Sequence, residues 1–153
     1  MLKILGLVLI GILLLLAASM VYVRFAPVDQ ARWHKAPATA TGPSNLPCAD
    51  AMIVNPGSAE VHCQSAEPAQ ALLERLDVTA MATPRTRRIA GSPAEGMITW
   101  ETRSRFWAFP DYTTAQARDD GGSTRLDIAA RLRFGESDFG VNAARLKDWL
   151  SRL

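Results

Sequence analysis

The chain is poor in the residues that most small catalytic or metal-binding domains use. Its 153 residues include two Cys and two His, and among seventeen basic residues only Lys3, Lys35 and Lys147 are lysines. Two Cys exclude a disulfide-dense mini-protein. Two His and two Cys supply a metal site only if all four converge, so no metal and no cofactor is expected. A formal net charge of +2 excludes a polybasic nucleic-acid binder. No H-E-x-x-H, C-x-x-C, G-x-S-x-G or P-loop pattern occurs. His62 adjoins Cys63, but neighbours along a strand point to opposite faces, which argues against a thiol–base pair. The length allows one domain of ordinary size.

What the chain does have is concentrated apolarity. Between Ile4 and Val23 only Gly6, Gly11 and Ser19 are not apolar. A helix of that length rises about 30 Å, the thickness of a bilayer's hydrocarbon core. A wholly cytosolic enzyme is thereby excluded, and the rest of the chain keeps enough apolar residues for a small core. A cleaved signal peptide would have a shorter apolar run and a small-residue cleavage site. This run ends instead in Met20, Val21, Tyr22 and Val23. A single-pass anchor over residues 1–25, contacting the membrane through 4–23, is the expectation. Arg24, Arg32 and Lys35 against Lys3 would keep the following domain inside by charge. The short N-terminal tail and the two Cys favour the outside, a periplasmic or extracytoplasmic location.

Residues 26–50 read as an extended tether, rich in Ala, Thr and Pro. Residues 51–153 read as a single α+β domain. Short strands at Ala51–Val54 and Ala59–Cys63 flank Asn55-Pro56-Gly57-Ser58, which suits a type II turn. If they pair, Cys48 and Cys63 approach; a disulfide and two separate buried thiols are both open. A bridge across that loop would contribute roughly 3 kcal/mol.

Pro68 opens a helix with Leu72, Leu73 and Leu76 on one face, fading by Thr83-Pro84. A last helix runs from about Gly140 to Leu153, with Asp138 as its N-cap candidate. Between them the period changes to two, over Thr86–Ala90, Met97–Phe106, Tyr112–Arg118 and Ser123–Phe134. Asp119-Asp120-Gly121-Gly122 marks a hairpin. Placing Arg118 opposite Ser123 sets Gln116 against Arg125, Thr114 against Asp127 and Tyr112 against Ala129. Both strands then agree on an apolar face, which the two helices cover. The expected architecture is an antiparallel sheet covered on one face by two helices, behind an N-terminal transmembrane helix.

The same register collects Arg103, Arg105, Arg125, Arg131 and Arg133 on the face left uncovered. Guanidinium forks suit carboxylates and phosphates. That face is either a solvated surface with paired charges or a docking surface for an anionic ligand or an acidic partner. The stretch from Arg133 to Arg145 passes from strand to helix through two glycines. Ser137, Asp138 and Asn142 can satisfy free N–H groups there. It reads as a hydrogen-bonded corner or as an anion site fed by Arg133 and Arg145.

Arg133, Gly135, Ser137, Asp138, Gly140, Asn142 and Arg145 resemble the C-terminal signature of the bacterial domain-of-unknown-function 1499 family. Arg103-Ser104-Arg105-Phe106 and Phe109-Pro110-Asp111 resemble that family's upstream segments. The likeness covers about Pro68 to the C-terminus. Cys48 and Cys63 are more widely spaced than the family's paired cysteines, and Leu132 stands where Ser commonly precedes the Arg. The resemblance implies a small envelope-associated domain and no particular activity.

These readings point to a non-enzymatic binding or scaffolding module of the cell envelope. Its candidate ligand-binding residues are Arg103, Arg105, Asp111, Arg133, Ser137, Asp138, Asn142 and Arg145. Its partner would be an anionic ligand or an envelope protein. The alternative is an envelope enzyme in which Arg105, Arg133 and Arg145 clamp an anionic substrate and Asp111 or Asp138 is the general base. The two differ in whether both aspartates line one pocket or are consumed as turn and cap acceptors.

Overall fold

An unbroken apolar run in lipid can satisfy its backbone only by coiling on itself, and Leu2–Phe25 forms one helix, α1. Its span from Lys3 to Phe25 is long and apolar enough to cross a membrane, and none of its most apolar window is buried. The computed structural model describes residues 1–38, 48 and 51–153. Of the tether expected over 26–50, residues 39–47, 49 and 50 lie outside these described residues.

Six strands follow: β1 (Met52–Asn55), β2 (Ser58–Ser65), β3 (Thr86–Ser92), β4 (Met97–Arg103), β5 (Pro110–Asp120) and β6 (Ser123–Leu132). They form one antiparallel sheet in the order β1-β2-β6-β5-β4-β3. With a one-turn helix α2 (Gln30–Trp33) and the helices α3 (Ala69–Ala82) and α4 (Val141–Leu150), the fold is α+β. Leu72, Leu73 and Leu76 of α3 and Leu146 and Trp149 of α4 share one core with Val61, Ile98, Trp100, Leu126 and Ile128 of the sheet. Trp100 and Trp149 meet edge to face at 5.6 Å. Each indole N–H has a partner, Asp77 Oδ1 and Thr83 Oγ1 respectively, both at 2.8 Å. Buried indoles need such partners.

Several local expectations are corrected. The β5–β6 hairpin turns on Gly121-Gly122 alone, with Asp120 opposite Ser123 and Arg118 opposite Arg125. Both glycines have positive φ, 59° and 98°, as a two-residue I′ turn requires. The register therefore differs by two residues from the expected one, a shift that leaves every side chain on its face. The β1–β2 turn is not type II, because Gly57 does not adopt positive φ. Its glycine answers to space instead: a Cβ there would come within 2.7 Å of Leu132 Cδ2.

β4 stops at Arg103, before the expected end at Phe106. The Ser104 N–H donates to Phe109 O (2.9 Å) and the Phe109 N–H to Ser104 Oγ (3.0 Å), closing a loop instead. Cys48 and Cys63 form a disulfide.

The polar face is not open. Side chains alternating with the core residues, among them Thr99, Tyr112, Thr114 and Arg131, face the chain that leaves α1. Trp33 of α2 stacks on Tyr112 at 4.2 Å, and its carbonyl accepts from Thr114 Oγ1 and Arg131 Nη2, both at 3.1 Å. His34 Nδ1 lies 2.8 Å from Thr99 Oγ1, and Arg133 Nη1 donates to Pro27 O at 2.9 Å. Residues 26–37 are thus a strap over this face. The physical reason is the arginines themselves: guanidinium groups on a sheet face need acceptors, and strap carbonyls supply them.

Candidate functional site

The corner between β6 and α4 is built by its polar residues. Asp138 is not the N-cap, which is Gly140, but its carboxylate does a cap's work from two residues earlier. Oδ1 accepts the Gly140 N–H and Oδ2 the Asn142 N–H, each at 2.9 Å. Ser137 Oγ accepts the Phe139 N–H at 3.2 Å. The Asp138 N–H donates to Pro56 O (2.9 Å), tying the corner to the β1–β2 turn. This fixes the start of α4, so that Asn142 and Arg145, one turn apart, both point inward and are buried.

Arg145 Nη2 donates to Asn142 Oδ1 at 2.9 Å and to Asp111 Oδ2 at 2.8 Å. Burial pushes the Asp111 carboxyl up to about 6, and the nearby Asp138 charge adds to the rise, while the Arg145 charge and hydrogen bond oppose it. Burial lowers the pKa of Arg145, against the pull of Asp111 and Asp138. Arg145 Nη1 and Asn142 Nδ2 are buried with no hydrogen-bond partner among the described residues.

Above this floor lies a cavity of about 420 Å³. Asp111, Ser137 and Asp138 form its polar end; Trp107, Phe109, Leu132, Phe134, Phe139 and Val141 form its walls. Phe139 is 95% exposed and Trp107 49%, so the rim is aromatic and open. Phe139 holds a φ of 53°, a left-handed conformation costly for a side chain of its size. The Phe134 ring lies 6.2 Å from Tyr22, which places the cavity beside the last turn of α1.

The structure divides the sequence-predicted residues. Asp111, Ser137 and Asp138 line this cavity, and Asn142 and Arg145 lie buried behind them, Arg145 bonded to Asp111. Arg103 and Arg105 line a different cavity, on the far side of the 104–109 loop. Arg133 joins neither: it donates to Pro27 O and to Tyr112 Oη. Both Asp111 and Asp138 line one pocket, yet both oxygens of Asp138 are taken by α4. The aromatic rim escaped sequence reasoning, although Phe106, Trp107 and Phe109 within four positions were a visible signal. Among the described residues, no three His, Cys, Asp or Glu side chains are grouped to hold a metal ion.

The fold and site define an α+β domain with an aromatic-rimmed cavity, behind a helix apolar enough to cross a membrane. The chain belongs to the family described as protein of unknown function (DUF1499), which matches residues 38–153. That match begins well before Pro68, where the resemblance had been expected to start, and takes in both cysteines. No curated protein matches the chain.

Proposed function

We propose that the protein is a single-pass, membrane-anchored binding module of the cell envelope, with its domain extracytoplasmic. Its cavity beside α4 takes the apolar portion of an amphipathic envelope molecule, and Asp111, backed by Arg145, meets that molecule's polar group. The observation that carries this reading is Phe139, held almost fully exposed in a left-handed conformation at the cavity mouth. An exposed apolar side chain on strained backbone is explained by what it contacts when a ligand is present.

An enzyme acting on an anionic substrate is the second reading. It is favoured by one observation, the Asp111 carboxyl tuned to about 6, near the range a general base needs. Binding is preferred because the other groups are engaged: Ser104 and Ser137 hydroxyls accept loop N–H groups, and Asp138 caps α4.

The test uses the full-length protein in nanodiscs doped with a diazirine-bearing phospholipid. Photolabel should appear on residues 104–111 and 132–141, with α1 as the internal reference. Phe139→Gly should lower labelling of these segments by about tenfold relative to α1. Stability should stay unchanged or rise by up to about 1 kcal/mol, since glycine relieves the left-handed strain at some entropic cost. Labelling confined to α1 in the wild-type protein would refute the reading.

A further inference from the structure

The second cavity, of about 530 Å³, lies at the foot of α1 and is lined by Arg24, Arg85, Arg87, Arg103 and Arg105 against one carboxylate, Glu101. Glu101 is fully buried and already shared: it accepts from Arg87 Nε at 2.6 Å and from Arg103 Nη2 at 2.8 Å. Arg103 is further tied by Nη1 to the carbonyls of Arg24 (3.1 Å) and Ala108 (3.1 Å). Arg24, Arg85 and Arg105 have no carboxylate partner among the described residues. Five guanidinium groups around one cavity repel each other, and a single buried carboxylate does not balance them.

The surroundings select the missing charge. Arg24 belongs to the last turn of α1, and Phe25 beside it lines the same cavity. If α1 spans the bilayer, its last turn lies at headgroup depth, where basic residues meet lipid phosphates. Planar guanidinium forks match phosphate oxygens in pairs, which lysines would not do. Two lining residues, Arg85 (φ 62°) and Ala108 (φ 56°), also hold left-handed backbone without being glycine, a strain that an arrangement built for binding retains.

We infer that the arginine cavity between the end of α1 and the 104–109 loop binds a phosphate group, supplied by an anionic phospholipid headgroup. This site is separate from the aromatic-rimmed cavity and does not depend on what that cavity holds.

The experiment is native mass spectrometry of the full-length protein in detergent. Short-chain phosphatidylglycerol and phosphatidylcholine are offered in equal amounts, with inorganic phosphate in a separate arm. The protein should retain phosphatidylglycerol over phosphatidylcholine by about tenfold. Arg85→Glu combined with Arg105→Glu should abolish that preference, whereas Lys147→Glu, the same kind of charge change on the exposed side of α4, should leave it intact. Arg105→Gln, at a loop residue whose guanidinium lies over the Phe106 ring, should lower it several-fold without touching the fold. Phosphate that binds and displaces phosphatidylglycerol would support the site and assign it to a soluble phosphate. Equal retention of both lipids with no phosphate binding, or a preference surviving in the folded double variant, would overturn the proposal.

Discussion

Asp111 is where environment most alters a side chain's chemistry. Its carboxyl is pushed from 3.8 to about 6, chiefly by burial. The folded protein therefore holds this proton more tightly than the unfolded chain does. The group favours folding below about pH 4, and that contribution fades as the pH rises through about 6, by roughly 3 kcal/mol in all. Arg145→Met sharpens the effect. At pH 8 it leaves a largely buried carboxylate without its cation and should destabilise by about 3–5 kcal/mol. At pH 5 the carboxyl is protonated and needs no cation, so the loss should be much smaller. Urea unfolding at the two pH values checks this; an equal loss at both would show that Asp111 is not the group Arg145 serves.

Among the elements, the strap contradicts the sequence reading most. An unpatterned segment with Ala, Pro and mixed polar residues carries no periodicity, so nothing in residues 26–37 announces that Trp33 will stack on Tyr112. The strands were legible because alternation survives errors of register: β5 and β6 pair two residues away from the expected alignment, and their apolar faces still coincide. The end of β4 was illegible because Phe106 continues the alternation into residues that the Ser104–Phe109 hydrogen bonds fold into a loop. The α4 corner was legible in its residues but not in its division of labour. Asp138 accepts the Asn142 N–H, while Arg145 donates to the Asn142 side chain and to Asp111. If the strap is held as described, Trp33→Ala should cost about 3 kcal/mol and release the segment. Limited trypsinolysis should then cleave after Arg32 and Lys35 many times faster than in the wild-type protein, with no cleavage within the sheet. An unchanged cleavage rate would mean that the segment is not held by this indole.

At the scale of the whole molecule, both cavities share Ser104 as a lining residue and both adjoin the end of α1. Of the arginine sheet face expected to be the working surface, the strap covers the part that holds Arg131 and Arg133. The end of the domain next to α1, where Phe106, Trp107 and Phe139 are exposed, is the surface that the proposed binding uses. Arg131 and Arg133 read from sequence as part of an open docking face because the strap that covers them has no signature of its own.

The central claim is that this aromatic end of the domain meets the membrane, and Trp107 reports on it directly. It is the exposed indole of the four; Trp33, Trp100 and Trp149 are buried. In nanodiscs made with lipids brominated near the headgroup, the full-length protein should lose a fraction of its tryptophan fluorescence, and Trp107→Phe should remove most of the quenchable part. Quenching that is absent, or that persists undiminished in Trp107→Phe, would contradict the account.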